Sequence, residues 1–549
     1  MYLYNETDTN LLETRAAQFK HQVERRITGS LNEDEFRPLR LMNGLYLEMH
    51  AYMQRIAIPY GVLNSEQLHA LADVTEKYDK AYGHFTTRQN IQLNWLDLEQ
   101  VPEILEVLAR VNMHAIQMSG NCIRSITSDP YAGAAIDELA DPRPTAELIR
   151  QWSTLHPEFA YLGRKFKIAV TGAAEDRAAI QVHDIGVQLV QSANGEPGYK
   201  LYIGGGLGRT PMVGKVIKEF LPEDDLLAYL EASLRIYNLY GRRDNKYKAR
   251  IKILTKELGV DVLREKIDAE FHQAYARLPA TSGWLKTIET QFRLPDFKVN
   301  DSDALIQPVS VTEPEFKHWL TNNVLPHKQP GYRIVNISTK PIGGVPGDVS
   351  SAQMRVLANL AERFSHDEIR VTKDQNLVLP HARFNDLYTI WQQLVANNLG
   401  TSNHRLISDI VSCPGMDYCS LATARSIPVA QAISERFANT EFEREIGHLS
   451  IKISGCINAC GHHHIGHIGI LGLEKNGKEY YQIVLGGNGN ERATIGRVSG
   501  PGFASEDIVG VIDKLLKFYL QVRETNELFP DTYKRLGLKA FKEVIYASH

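Results

Sequence analysis

The chain has 549 residues and a formal net charge of −4, from 61 Lys and Arg against 65 Asp and Glu. Its length exceeds what one hydrophobic core supports, and its balanced charge excludes the basic excess typical of nucleic-acid-binding proteins. It has no apolar run long enough to span a membrane and no signal-peptide pattern at its start, and its five cysteines favour a reducing compartment over a disulfide scaffold. We therefore expect a cytoplasmic protein of several domains, without nucleic-acid or membrane partners.

The first predicted element of interest is a mostly apolar strand over residues 51–59, which contains Arg55. Further along, Arg124 follows Cys122 and Ile123 in a similar setting. An arginine inside an apolar strand costs roughly several kcal/mol unless it is paired. Since no carboxylate lies close in sequence to either arginine, we interpret both as anion-binding residues.

Residues 84–95 alternate with a period of two, which predicts one strand with a polar and an apolar face. His84, Arg88 and Gln92 fall on the polar face, together with threonine and asparagine. A half-exposed strand shows the same alternation, but it usually carries lysine and glutamate rather than amides. A face of amides with one guanidinium suits a polyanionic ligand.

A second cationic strand is predicted over residues 164–170, where Lys165 and Lys167 share one face. Like charges so close repel each other unless an anion lies over them. The alternative is a solvated edge strand, in which lysines are common. A basic run at 245–252 follows, so the cations of the first half are concentrated on a few segments.

Other elements follow from apolar spacing and composition. A period of about 3.6 residues predicts helices over 65–78, 101–111, 224–240 and 506–525. Residues 292–309 lack periodicity, contain proline and polar residues, and form the predicted linker. The glycine cluster at 204–208 is too weak a pattern for a dinucleotide loop, so we predict no nicotinamide or flavin site.

The chain repeats itself once, with low identity but in matching order. Residues 87–93 and 372–379 share Gln-Asn before an apolar stretch, strands ending in glycine follow at 167–172 and 450–455, and glycine clusters follow at 204–208 and 486–489. This order favours a duplicated α+β unit. We expect a pseudo-twofold core with a large ligand between the halves.

Four of the five cysteines form two pairs near the C-terminus, Cys413 with Cys419 and Cys456 with Cys460. Four thiolates on short loops are what a cubane iron–sulfur cluster needs. The spacings Cys-x5-Cys and Cys-x3-Cys differ from the knuckles of structural zinc, although these cysteines, alone or with the histidines of the run 462–467, are also compatible with a zinc site. The sequence favours an iron–sulfur centre and leaves zinc as the alternative.

These cysteine spacings, the repeated halves, the Thr-Thr-Arg-Gln-Asn strand and the Arg-Lys-Phe-Lys segment resemble the siroheme-dependent sulfite and nitrite reductases, in that family's order. The resemblance runs from about residue 36 to near the C-terminus and is to the sulfite reductase haemoprotein, or beta-component, type. It implies an internally duplicated α+β fold, in which two ferredoxin-like half-domains form one central domain beside two larger α/β domains. It also implies siroheme coupled to a 4Fe–4S cluster.

With that fold, the chain divides into five predicted segments. They are an N-terminal segment with the first half-domain at 1–115, a first siroheme/4Fe–4S-type domain at 116–291, the linker at 292–309, the second half-domain at 310–400, and the domain with the cluster cysteines at 401–549.

The resemblance also implies a role for each matching residue. The residues that match the basic lining of the substrate anion are Arg55, Arg124, Lys165 and Lys167. The matches to siroheme contacts are His84, Arg88, Gln92, Asn458, Arg250 and Lys252. The matches to the cluster ligands are Cys413, Cys419, Cys456 and Cys460, of which the last also bridges to the siroheme iron. Siroheme is rich in carboxylates, so a buried site for it needs many cations and N–H donors.

The implied activity is that of an oxidoreductase that reduces sulfite to sulfide with six electrons. The alternative is nitrite reduction to ammonia. Nitrite-preferring members commonly have asparagine where Lys167 stands, and a second lysine suits the more highly charged sulfite, so Lys167 favours sulfite. A zinc-stabilised binding module without catalysis is the alternative from another class. The expected electron donor is a ferredoxin or a flavoprotein reductase.

Overall fold

The computed structural model describes residues 1–274, 280–297, 313–438 and 440–547. Of the predicted linker, residues 298–309 lie outside the described residues, and 292–297 contribute one isolated bridge, between Phe292 and Tyr2. In the described ranges, no helix is both long and apolar enough to cross a membrane.

Strands and helices alternate along the chain. The strands are β1 (Leu45–Leu47), β2 (Tyr52–Ile56), β3 (Val62–Leu63), β4 (Tyr82–Phe85), β5 (Ile91–Leu96), β6 (Thr127–Ser128), β7 (Ile168–Thr171), β8 (Ile185–Gln191), β9 (Pro197–Ile203), β10 (Lys215–Pro222), β11 (Val324–Pro326), β12 (Tyr332–Ile337), β13 (Asp348–Ser350), β14 (Ile369–Val371), β15 (Leu377–Arg383), β16 (Val411–Ser412), β17 (Ile451–Ser454), β18 (Ile468–Lys475), β19 (Lys478–Leu485), β20 (Arg497–Val498) and β21 (Phe503–Ala504). The helices are α1 (Glu6–Ile27), α2 (Glu33–Met42), α3 (Ser65–Tyr78), α4 (Val101–Arg110), α5 (Arg143–Ser153), α6 (Leu226–Tyr240), α7 (Ile251–Leu258), α8 (Val260–Ala274), α9 (Thr281–Thr290), α10 (Pro314–Asn323), α11 (Ser351–Phe364), α12 (Leu387–Ala396), α13 (Ile427–Phe437), α14 (Glu441–Ile446), α15 (Ile508–Val522) and α16 (Phe529–Tyr546).

Two antiparallel sheets form the centre of the molecule, in the orders β1-β2-β5-β4-β13 and β11-β12-β15-β14-β3. Each half-domain lends one short strand to the other, because β13 pairs with β4 and β3 pairs with β14. The predicted domain boundaries do not anticipate this exchange. The half-domains therefore cannot separate without breaking backbone hydrogen bonds between strands.

One hydrophobic core runs through both half-domains. It includes the fully buried side chains of Phe19 and Leu93 from the first half and of Val335 and Leu357 from the second. Helix α3 packs against α11, its counterpart in the duplication. The two ferredoxin-like half-domains thus form one central domain, as the resemblance implies.

A further sheet follows each half-domain, and the two have the same topology. The order β6-β7-β8-β9-β10 is repeated by β16-β17-β18-β19-β20, with β21 beside β19. In both sheets the first three strands are parallel and the later pairings are antiparallel. Each sheet contributes to its own hydrophobic core. The predicted duplication and the α+β class are confirmed.

The two glycine clusters pack closely against the backbone of neighbouring segments. A Cβ atom on Gly205 would lie 2.3 Å from the carbonyl oxygen of Gln181, and one on Gly487 would lie 2.5 Å from that of His464. Such distances admit only glycine. Both clusters are structural turns at matching places, as their repetition in the sequence indicates.

The predicted helices are present, with shifts at their ends. Helix α3 has the predicted bounds and begins at a capping box, in which the Asn64 side chain accepts the Gln67 N–H and the Gln67 side chain accepts the Asn64 N–H. The helices predicted at 224–240 and 506–525 start two residues later, because a 3-10 turn precedes each of them.

The single strand predicted over residues 84–95 is wrong. Strands β4 and β5 are separate and are joined by a tight turn at residues 86–90, in which Gln89 has a φ of 56°. The Thr86 hydroxyl accepts the Asn90 N–H at 3.3 Å and closes the turn. A period of two does not distinguish one strand from a hairpin whose turn keeps the alternation. The guanidinium group of Arg88 therefore lies on a turn rather than on a strand face.

Candidate active site

A cleft of about 870 Å³, partly open to solvent, lies where the central domain meets both larger domains. Its walls come from the β4–β5 turn, from segments 118–125 and 165–167, and from the loops after β16 and β17. The predicted site residues on these walls are Arg55, His84, Arg88, Gln92, Arg124, Lys165, Lys167, Arg250, Cys413, Asn458 and Cys460. The predicted residues that do not line the cleft are Lys252, Cys419 and Cys456.

Three of the wall residues face one another on neighbouring strands. Gln92 on β5 is in register with Arg55 on β2 and with His84 on β4. The Arg55 guanidinium donates to the Gln92 amide oxygen from Nε at 3.2 Å and from Nη2 at 2.7 Å. His84 Nε2 accepts from the Gln375 amide at 3.2 Å, so its Nδ1 carries the proton donated to Asp348 at 2.7 Å. These hydrogen bonds therefore fix the orientation of the Arg55 guanidinium, the Gln92 amide and the His84 ring.

The Arg88 guanidinium is held by neutral acceptors. Nη1 donates to Thr127 Oγ1 at 3.1 Å and to His183 Nε2, and Nη2 donates to the Ser125 carbonyl oxygen at 2.6 Å. His183 can accept there because its Nδ1 donates to the Ala179 carbonyl oxygen at 2.8 Å. Burial and neighbouring arginines lower the pKa of Arg88 to about 9. Its buried Nε has no hydrogen-bond partner among the described residues.

Arg124, Lys165 and Lys167 extend this cationic wall. Arg124 donates to main-chain carbonyl oxygens, that of Met118 at 2.9 Å and that of Gly120 at 2.7 Å. Burial lowers the pKa of Lys165 to about 8, and burial with repulsion from neighbouring cations lowers that of Lys167 well below its usual value. Both lysines would be stabilised in their charged form by an anion.

The cations of this wall lack a carboxylate partner within the described part of the chain; they are Arg55, Arg88, Arg124, Lys165 and Lys167. The carboxylate of Asp184 reaches the same region, but it is paired with Arg250 at 2.6 Å. Burying unpaired charges costs roughly several kcal/mol each. The arrangement is therefore that of a site for a polyanionic ligand.

The paired cysteines lie beside this wall. Cys413 follows β16 and Cys456 follows β17, and the carboxyl ends of these two parallel strands meet at one edge of the sheet. The Gly455 N–H donates to Cys413 Sγ at 3.2 Å. Burial raises the pKa of Cys413, Cys419 and Cys456, and the nearby Cys460 thiol raises each of them further.

Two of the neighbouring histidines, His464 and His467, have hydrogen-bond partners, whereas Nδ1 of His462 and both ring nitrogens of His463 have none among the described residues. His464 Nε2 donates to the Gly208 carbonyl oxygen at 3.0 Å, and His467 Nδ1 accepts the Ser450 N–H at 3.2 Å. His462 lines the cleft. Across the described ranges, no three His, Cys, Asp or Glu side chains are close enough to hold one metal ion.

Two family models match the chain in an interleaved order. The model described as the nitrite and sulphite reductase 4Fe-4S domain matches residues 119–275 and 404–549, and the model described as the nitrite/sulfite reductase ferredoxin-like half domain matches 48–111 and 326–397. The chain belongs to the nitrite and sulphite reductase family. This is a family of oxidoreductases that use siroheme and a 4Fe–4S cluster.

Similar proteins of this family cover most of the chain. A ferredoxin–nitrite reductase of Synechococcus elongatus is 29% identical over 492 residues, which are 86% of this chain and 87% of the relative. A ferredoxin sulfite reductase of Mycolicibacterium paratuberculosis is 26% identical over 496 residues, 88% of this chain and 82% of the relative. The solved structure of the Mycobacterium tuberculosis NirA protein has the same fold, with a TM-score of 0.77 over 97% of each chain at 24% identity.

The cofactors of the nitrite and sulphite reductase family fit the chemistry of the cleft. Siroheme is rich in carboxylates, and the wall supplies unpaired cations and the free Nε–H of Arg88. The cluster needs thiolates, and every cysteine of the chain is a free thiol. The donor set on each wall thus suits one of the two cofactors.

Two predicted siroheme contacts have protein partners. Lys252 Nζ donates to the carbonyl oxygens of Leu207 and Thr210 at 2.8 and 2.6 Å, and so holds the glycine cluster in place. Arg250 pairs with Asp184 while it lines the cleft. Contact of Lys252 and Arg250 with siroheme stays a prediction.

Sequence reasoning missed three residues that organise the site. His183 orients the guanidinium of the hairpin turn, Asp184 accepts the Lys167 N–H at 2.8 Å, and Tyr46 accepts from Arg55 Nη1 at 3.1 Å. Asp184 carries a sequence signal, since an acidic residue directly before a buried strand is unusual. The other two have none, because His183 meets Arg88 across 95 residues of chain and Tyr46 meets Arg55 only through the pairing of β1 with β2.

Proposed function

We propose that this protein is an assimilatory-type sulfite reductase that reduces sulfite to sulfide with six electrons. The observation that carries the proposal is the wall of cations without carboxylate partners in the described part of the chain, beside four free thiols. Preorganised positive charge stabilises the oxyanions that such a reduction binds and transforms. Relatives with the same domains are named as sulfite or nitrite reductases.

Residues on the walls of the cleft and directly behind them would hold the two cofactors. The proposed siroheme contacts are His84, Arg88, Gln92, Asn458, Arg250 and Lys252. The residues that would ligate the cluster are Cys413, Cys419, Cys456 and Cys460. When bound, the two cofactors supply the electrons of the reaction. Among the protein groups, Arg88 is the best placed to bind a siroheme carboxylate, because its Nε–H has no other partner in the described residues.

Four residues of the cationic wall would bind the substrate; they are Arg55, Arg124, Lys165 and Lys167. Hydrogen bonds from Arg55 to Gln92 fix the direction of its guanidinium, which limits the entropy lost when the anion binds. Lys165 Nζ, whose pKa is about 8, can give and regain a proton near neutral pH as the oxygens of sulfite leave as water.

Nitrite is the second candidate substrate, because the Synechococcus elongatus nitrite reductase has the higher identity of the two relatives, 29% against 26%. The charge of the site favours sulfite. Sulfite is a dianion above neutral pH and nitrite is a monoanion, so the second lysine, Lys167, gains more from sulfite.

We further propose a ferredoxin as the electron donor, since both relatives are named for ferredoxin. Free thiols throughout the chain suit the reducing cytoplasm. A flavoprotein reductase is the alternative donor. Reduced ferredoxin alone should sustain sulfite reduction by the holoenzyme, and a strict need for a flavoprotein would contradict this choice.

The experiment that tests the activity is the reduction of sulfite and nitrite side by side, with an artificial donor, to give kcat/KM for each. We expect the larger value for sulfite. A larger value for nitrite would transfer the proposal to the second candidate. Reduction of neither anion by protein with full iron content would overturn it.

A further inference from the structure

Tyr46 lies behind the cationic residues of the proposed substrate site, on strand β1, which pairs with β2. Arg55 Nη1 donates to its phenol oxygen at 3.1 Å, and the Arg55 guanidinium carbon lies 5.0 Å from the centre of its ring. In its neutral form the Tyr46 hydroxyl donates to the Met118 carbonyl oxygen at 3.5 Å, and the same oxygen accepts from Arg124 at 2.9 Å. One phenol therefore joins two arginines of the proposed substrate site.

The surroundings of Tyr46 favour its ionised form. Burial alone would raise the pKa of this phenol, but three cations and one hydroxyl lower it to about 7, against an ordinary tyrosine value of about 10. The groups that face the phenol from β2 and from the adjoining segments are Arg55, Arg124, Ser119 and Lys165. They contain no carboxylate, so the phenolate is the natural counter-charge of these cations.

We propose that Tyr46 is a positioning residue that couples binding of the substrate anion to uptake of a proton. Without the anion, the phenolate balances part of the positive charge and orients Arg55. An entering anion takes over that role, and its negative charge favours the neutral phenol, so a proton passes from solvent to Tyr46 Oη. The proton is then stored beside an anion whose reduction consumes protons. The inference rests on the proposed anion site.

The direction of the coupling follows from linkage. The phenol holds its proton more tightly when the anion is bound, so anion affinity falls as pH rises between the free and bound pKa values, by up to about tenfold per pH unit. Loss of the Lys165 proton at higher pH also weakens anion binding. A variant that lacks only the phenol oxygen therefore isolates the part due to Tyr46.

The test compares Tyr46→Phe with wild-type holoenzyme, with nitrite as the probe because it stays a monoanion from about pH 6 to about pH 10. The measured quantities are the ultraviolet absorbance of tyrosinate, as a wild-type minus variant difference, and the Kd of nitrite. We expect the difference to show an ionisation near neutral pH without nitrite and a shift of about one pH unit or more upward with saturating nitrite. Nitrite affinity should fall more steeply with pH in the wild type.

Tyr52→Phe is the matched control, since Tyr52 lies on the neighbouring strand β2 and burial raises its pKa. Its difference spectrum should show no ionisation near neutral pH. Equal pH dependence of nitrite binding in wild type and Tyr46→Phe, or no tyrosinate signal near neutral pH, would overturn the coupling and leave the anion site intact. If nitrite bound to neither protein, the anion site itself would fail, and the coupling with it.

Discussion

The duplication gives the molecule two related clefts, which differ in how their charges are balanced. The counterpart cleft, which is partly open to solvent, is lined by the second hairpin turn, at residues 372–376, and by the loops after β6 and β7. Where the active-site turn has Arg88, the second turn has Asp374, which pairs with Lys373 at 2.7 Å and with Lys452. The cations of this turn are therefore neutralised by the protein itself.

The positions that carry the proposed cluster thiols in one half of the chain carry an ion pair in the other half. Asp129 directly follows β6, as Cys413 directly follows β16. Arg177 stands two residues before a left-handed position, as Cys460 does. Arg177 and Asp129 form a buried ion pair at 2.8 Å, and Arg177 also pairs with Asp137 at 2.9 Å. An ion pair thus joins, in one half, the loops that the proposed cluster joins in the other.

One backbone thus supports two arrangements of charge. Cations left unpaired by the protein require a bound anion, whereas cations paired by the protein contribute to folding without one. Removing a charged side chain should therefore weaken ligand binding in the active-site cleft, and should lower the free energy of unfolding in the counterpart cleft.

The largest effect is expected from Cys460→Ser. It removes a proposed cluster ligand, so sulfite reduction should fall more than about a hundredfold, with loss of iron and acid-labile sulfide from the purified protein. Cys122→Ser is the matched control, because Cys122 is buried outside the cleft, and it should keep its iron. Full iron and sulfide content in Cys460→Ser would show that this thiol is not a ligand.

In the counterpart cleft, Arg177→Met should reduce the free energy of unfolding by about 3–5 kcal/mol, because it leaves the Asp129 carboxylate buried and unpaired. Urea unfolding of the holoenzyme measures the change. The double variant Arg177→Met with Asp129→Leu should recover most of the loss. A loss below about 1 kcal/mol in the single variant would mean that this ion pair behaves like one at the surface.

Arg88→Met is the corresponding test in the active-site cleft. It removes a cation that the protein leaves unpaired, so siroheme retention should weaken by about ten- to a hundredfold, the size of one lost charge-assisted hydrogen bond, while stability of the siroheme-free protein holds or rises. Siroheme content after dialysis measures the effect. Lys373→Met, in the counterpart turn, should leave siroheme content unchanged. Equal losses in both variants would remove the distinction between the clefts.

The smallest effect is expected from Lys167→Asn. The ratio of kcat/KM for sulfite to that for nitrite should move toward nitrite by roughly tenfold, equivalent to about 1.4 kcal/mol, because the dianion loses more than the monoanion. Lys373→Asn serves as the control in the counterpart cleft. An unchanged ratio in Lys167→Asn would mean that this lysine does not discriminate between the two anions.

Much of the site could be predicted from the sequence because its signals are local. The spacing of the four cysteines favours an iron–sulfur centre over zinc, and Arg55 and Arg124 are conspicuous because a lone arginine in an apolar strand is costly. The repeated order of short motifs indicates the duplication. The hairpin at residues 84–95 was beyond such reasoning, because alternation continues through its turn.

The fold class, the duplication and the residue types that line the cleft could be inferred from the amino-acid sequence. The pairing of the charged residues became evident only from the three-dimensional fold. Asp374 meets Lys452 and Arg88 meets His183 across long stretches of chain, and the exchange of β3 and β13 joins the two halves. The physical reason is that charge pairing depends on distance in space, which a linear pattern does not contain.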